Sequence, residues 1–208
     1  MNSNKVALFI DGENLRHYVE QVLLDGGFKK HEFSILNIDF EKMFKGALSG
    51  LNIVTKIYYS AKLQVTPETE KTSRLLVNKQ RFLKTRLEKQ KYQFLIAGKV
   101  RPQLIDDGNK KKIVFKEKGV DVRIAVDLVK SAFDRNFNTV VLCSSDSDLQ
   151  PAIKEARSRG LEIIYLGFES MPNKGLTFTT NKTILLRSSE IINAIDKTTQ
   201  LEAFDLQK

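Results

Sequence analysis

A short apolar run, Val140, Val141, Leu142 and Cys143, gives way to Ser144, Ser145, Asp146, Ser147 and Asp148. Such a run has the length of a buried parallel strand, and parallel strands deliver their last residues to the sheet edge where open α/β proteins bind ligands. Asp11 closes a second apolar run over residues 5–10, and Asp121 heads a helical pattern. With short connections these ends fall on one edge and converge. Two carboxylates about 4 Å apart repel by about 4 kcal/mol at an effective dielectric of 20, so three or four together require a cation or a shared proton. Oxygen ligands around an open cleft suit Mg²⁺ or Mn²⁺. Zn²⁺ is disfavoured: His17 and His31 are the only histidines, neither in a ligand spacing, and Cys143 is the only cysteine.

Each acid also has a plainer use. Asp11 can cap the helix that follows it, and Ser145, Ser147 or Asp148 can cap the helix that has Pro151 in its first turn. Asp146 is harder to account for in this way, since a helix needs one cap and five candidates stand in a row. Asn14 is a poor helix former, which favours a role for its amide at the cleft. Counted at about 100° per residue, Ile124, Ala125, Leu128, Val129 and Ala132 centre near the direction of Asp121, which predicts that Asp121 points inward. Asp127 falls on the opposite face with Arg123, Lys130 and Asp134 and reads as a solvated charge.

The elements that position these residues alternate. Residues 5–10 read as a strand, with a helix after it carrying Leu15, Tyr18, Val19, Val22 and Leu23. A helix capped by Asp39 precedes a β-branched and aromatic strand over 53–61. Thr66 and Pro67 open a long charged helix to about residue 92. Residues 94–105 and 112–115 flank Asp106, Asp107, Gly108 and Asn109, the turn chemistry of a hairpin inserted or placed at an edge. Helix 121–133, strand 140–143, helix 148–159 and strand 161–167 follow, then a loop over 175–181, a short strand over 183–186 and a short helix over 188–195. The expected fold is α/β, with a mainly parallel central sheet, helices on both faces and a β-hairpin insertion. One domain over 1–170 is expected, with an extension over 171–208 packed on it and flexible last residues.

The 34 Lys and Arg against 25 Asp and Glu give a net charge of +9, which favours an anionic partner. A single cysteine excludes an intrachain disulfide and suits a reducing compartment. With no signal-like or membrane-length apolar stretch, a cytoplasmic protein without membrane contact is expected. The pattern leaves room for a homodimer.

The chain resembles the NYN-domain proteins, a branch of the PIN-like, metal-dependent nuclease superfamily. The resemblance rests on Phe9-Ile10-Asp11-Gly12-Glu13-Asn14, on Lys118-Gly119-Val120-Asp121-Val122 leading into an Ala-Val-Asp helix, and on Ser144-Ser145-Asp146-Ser147-Asp148-Leu149-Gln150-Pro151, in matching order over roughly residues 5–168. It implies a three-layer PIN-like fold and an acidic Mg²⁺ or Mn²⁺ cleft that cleaves RNA. By that similarity Asp11, Asp121 and Asp146 become metal ligands, Asp148 joins them as a catalytic residue, and Asn14, Ser144 and Ser145 support them. Two departures are visible: Ser144-Ser145-Asp146 stands where many members have Ser-Gly-Asp, and Gln150 where some relatives have another acid. One metal site is therefore expected, with a second left open.

The function expected on these grounds is metal-dependent endonucleolytic hydrolysis of RNA, with Lys118, Arg123, Lys99 and Arg101 holding the strand and no protein nucleophile. The long helix adds basic residues, although alternating Lys, Arg and Glu is equally the mark of an exposed face. Tyr58, Tyr59 and Phe115 can stack bases, but packing is the commoner use of such residues. A non-catalytic RNA-binding or regulatory module on the same fold is the alternative. A phosphatase of the haloacid dehalogenase type needs an Asp two residues after the first, where Glu13 stands.

Overall fold

The protein is described by a computed structural model covering residues 4–29, 34–65, 67–106 and 111–196. The strands β1 (Val6–Asp11), β2 (Ile53–Lys62), β3 (Gln93–Asp106), β4 (Lys111–Lys118), β5 (Thr139–Cys143), β6 (Glu162–Phe168) and β7 (Lys182–Leu186) form one sheet. Their order is β4-β3-β2-β1-β5-β6-β7. Every neighbouring pair is parallel except β3 and β4.

The two central strands explain the layers. β1 and β5 are buried at every position, so uninterrupted apolar runs can sit only where both sheet faces are covered. Their alternate residues divide between two cores. Leu8, Ile10, Val141 and Cys143 pack under α1 (Gly12–Asp25), α2 (Phe40–Phe44), α3 (Glu70–Lys89) and α7 (Ser188–Asn193). Ala7, Phe9, Val140 and Leu142 pack under α4 (Val120–Asp134), α5 (Gln150–Ser158) and α6 (Lys174–Thr179). The result is the expected three-layer arrangement with a mainly parallel sheet.

The hairpin lies at the sheet edge. β3 pairs with β2 only as far as Lys99, while its pairing with β4 runs from Lys99↔Lys118 to Asp106↔Lys111, so the two strands continue beyond β2 as an arm. The turn of the hairpin, including Asp107, Gly108 and Asn109, lies outside the described residues, as do Thr66 and the tail after Asp196. At its base the chain crosses itself closely. Gly98 has φ +70°, and a Cβ there would overlap the Lys118 carbonyl, so only glycine lets β4 hand over to α4 at this point. α4 then runs back across β3, β2 and β1, which carries the stretch from Glu117 to Asp121 toward the end of β1.

Three sequence expectations change. Residues 175–181 are largely helical: Asn173 caps α6, its Oδ1 accepting from the Leu176 N–H at 3.0 Å, and Leu176 is fully buried. The threonines hid this helix, because their hydroxyls turn back to helix carbonyls, as Thr180 Oγ1 does to Leu176 O at 2.8 Å. The long helix begins at Glu70 after a short 3₁₀ turn over Pro67–Thr69. Asp127 is no solvated charge. Its side chain is 14% exposed, and it accepts from the Tyr59 hydroxyl and from Arg123 Nε, each at 3.0 Å. The buried face of α4 is turned toward Val120 and Asp127, which leaves Val122, Val126 and Phe133 61%, 55% and 59% exposed.

Candidate active site at the carboxyl edge of the sheet

Asp11 ends β1 and caps α1: its Oδ1 accepts from the Asn14 N–H at 3.1 Å. Capping accounts for one oxygen. The other accepts from the Ser144 hydroxyl at 3.1 Å, and Ser144 Oγ in turn accepts from the Asp146 N–H at 3.2 Å. Asn14 Oδ1 accepts from the Ser145 N–H at 3.1 Å. Asn14, Ser144 and Ser145 therefore stitch the end of β5 to the end of β1 and set the spacing of Asp11 and Asp146. Asp146 caps its own 3₁₀ turn through the Asp148 N–H at 2.9 Å.

Asp11, Asp121 and Asp146 line one hollow of about 430 Å³, together with Glu13, Glu117 and Lys118. Asp121 is half-buried in the first turn of α4, at the margin of the buried face rather than in its middle. Asp148 is exposed and does not line this hollow. It borders a shallow apolar depression between α4 and α5, of about 790 Å³, with Asp121 on the rim common to both. Lys99 and Arg101 are exposed on the arm, and Arg123 is engaged by Asp127; none of the three lines the cleft. Tyr58 and Tyr59 are core residues, 3% and 0% exposed, whereas Phe115 is half-buried.

Several residues of the site were missed in the sequence. Glu117 sits beside the Lys118-Gly119 motif, but only the crossing at Gly98 aims its strand at the cleft. Asn173 has no local signal at all: its amide donates to the Ser145 carbonyl at 2.8 Å and to Ser147 Oγ at 2.9 Å, and so pins the turn before Asp146. Glu13 and His17 also line the hollow, with His17 Nε2 3.2 Å from Glu13 Oε1.

The electrostatics are those of crowded acids. Burial, then Asp146 and Glu13, push the Asp11 carboxyl above its ordinary value, against the opposing hydrogen bonds from Asn14 and Ser144. Burial, with Asp11 and Glu13 adding to it, pushes Glu117 up to about 8. Burial also opposes charge on Glu13, but Arg16 and His17 outweigh it and hold that carboxyl below its usual range, the wrong direction for the general acid of a phosphatase. Cys143 is no nucleophile, because burial and then Asp11 push its thiol up.

Glu117 predicts a pH dependence. An acid that binds its proton more tightly in the folded state stabilises the fold below its unfolded value, and that contribution is lost as pH rises through the folded one. Urea unfolding in chelator should therefore show stability declining from pH about 5 to about 8 and flattening above it. Glu117→Gln should remove most of the decline. A slope unchanged in that variant would mean that another group titrates.

Oxygen donors of this kind fit a hard divalent cation, and a dication would offset the cost of ionising Asp11 beside Asp146. The carboxylates line the hollow without closing on one point: among the described residues, no three His, Cys, Asp or Glu side chains form a cluster that could hold a metal ion. No described helix is long and apolar enough to cross a membrane.

Comparison with known proteins gives three findings. The family model described as NYN domain matches residues 5–187. An uncharacterized protein of Methanocaldococcus jannaschii is 40% identical over 50 residues, 24% of this chain and 21% of that protein, so the match spans about a fifth of the relative's length. The crystal structure of a protein of unknown function from Vibrio parahaemolyticus superposes with a TM-score of 0.50 at 14% identity, covering 88% of this chain and 93% of the other. That likeness is one of fold.

Proposed function

The chain belongs to the NYN domain family, within the PIN-like nuclease superfamily, and from that premise we propose that it is a cytoplasmic, Mg²⁺- or Mn²⁺-dependent endoribonuclease acting at the Asp11 edge of its sheet. The observation that carries the proposal is the meeting of Asp11, Asp121 and Asp146, from three separated segments, in one hollow rimmed by Lys118. A divalent cation bound there supplies an activated water and stabilises charge developing on the phosphate.

The chain's own residues do the positioning. Ser144 and Asn14 hold Asp11 and the turn of Asp146 in fixed register, so the ligands are ordered before an ion arrives. Lys118 meets the phosphate at the rim, and Lys99 and Arg101 on the arm extend the positive path for the strand. Arg123 contributes less than its position in sequence suggests, because Asp127 already holds its guanidinium.

Cleavage of mixed cellular RNA should cease in chelator and return with Mn²⁺ or Mg²⁺. Undiminished cleavage in chelator would remove the metal from the mechanism. A non-catalytic RNA-binding module is favoured by one observation, the failure of the described acids to close into a metal cluster. Strand binding without cleavage in either metal would select it.

A further inference from the structure

Beside the acidic cleft lies a second hollow of about 460 Å³, within the size range of small-molecule sites. It sits between the sheet and α3: Ser60 comes from β2, Leu76, Gln80 and Leu83 from α3, and Val100 and Phe115 from the arm. Glu13 and Glu117 line both hollows, so a strand with a phosphate in the cleft has its neighbouring group at the mouth of the second.

The lining describes the ligand. Leu76, Leu83, Val100 and Phe115 make apolar walls, one of them an aromatic ring. The Gln80 amide nitrogen is spent on Ser60 Oγ at 2.8 Å and the Ala61 carbonyl at 2.7 Å, leaving the amide oxygen to accept. Arg16 is neutralised by Glu13 at 3.0 Å and Glu20 at 2.7 Å. Lys79 lines it too, and Glu13 and Glu20 set two negative charges against those of Arg16 and Lys79, so this lining has no net positive charge to hold a phosphate and suits a neutral, flat group with polar edges. We propose that the hollow takes one unstacked nucleobase of the strand whose phosphate lies in the acidic cleft, which makes the substrate RNA unpaired at that nucleotide. This rests on the ribonuclease reading above. A paired base cannot enter without leaving its stack, and Phe115 offers the ring on which a freed base stacks.

The test compares two fluorescent strands of equal phosphate charge, an oligoadenylate dodecamer and a ribose-phosphate dodecamer without bases. Binding is read by anisotropy in Ca²⁺, with strand integrity checked on a gel. Wild type should bind the oligoadenylate about tenfold more tightly than the baseless strand. Ser60→Leu, which fills the hollow, and Phe115→Ala, which removes its ring, should each lose that preference and keep wild-type affinity for the baseless strand. Circular dichroism monitors folding; if Ser60→Leu does not fold, Phe115→Ala on the edge strand decides. An absent preference in wild type, or a preference intact in the folded variants, overturns the base site and leaves the ribonuclease reading standing. Failure of wild type to bind either strand overturns that reading, and the base site with it.

Discussion

Asp146→Asn should lower RNA cleavage by about a hundredfold or more without loss of folded protein. Asparagine keeps the side-chain oxygen that accepts from the Asp148 N–H, so the turn retains its cap. It removes the negative charge that a dication needs, and also the repulsion that Asp146 exerts on Asp11. Stability should therefore hold or rise slightly while activity collapses, a combination that a purely structural role cannot produce. Initial rates on single-stranded RNA in Mn²⁺, read beside thermal unfolding of both proteins, give the answer. Equal rates in the two proteins would move the catalytic site away from β5.

The second large effect is expected at Gly12. A Cβ there would lie 2.5 Å from the Tyr58 ring and 2.6 Å from the Tyr59 carbonyl. Neither can yield easily. Tyr58 is stacked on Phe94 at 5.4 Å, and its hydroxyl donates to the Gly12 carbonyl at 3.1 Å. Alanine is by itself the better helix former by about 1 kcal/mol, so propensity and packing make opposite predictions. Packing should win, with Gly12→Ala destabilising by about 1–3 kcal/mol in urea titration and reducing cleavage as Asp11 is displaced. A gain in stability would show that the contact relaxes.

What was legible followed from local rules. Apolar runs ending at Asp11 and before Ser144 announce buried parallel strands, and their acids necessarily reach one edge. The three-layer fold and the approach of Asp11 to Asp146 follow from that, whereas Asp121 joins them through the same chain crossing that places Glu117. Glu117 and Asn173 were not legible, because their place depends on a chain crossing at Gly98 and on a docked Thr-rich helix, neither of which has a periodic signature. Asp127 misled for a related reason. A helical wheel ranks positions by apolarity, but the partner that draws Asp127 inward is a tyrosine hydroxyl on another strand.

The bond between Ser144 and Asp11 joins residues 133 positions apart. Pairings of such high sequence separation carry a large loop-closure entropy and slow folding. Synthesis runs from the N-terminus, so Asp11 emerges long before the segment that completes its surroundings. A ribosome-held chain that ends short of Asp146 carries Asp11 and Asp121 but lacks the third of the aspartates that line the hollow. Under the ribonuclease proposal above, an unfinished copy lacks one of the proposed metal ligands until the segment around Asp146 has been made.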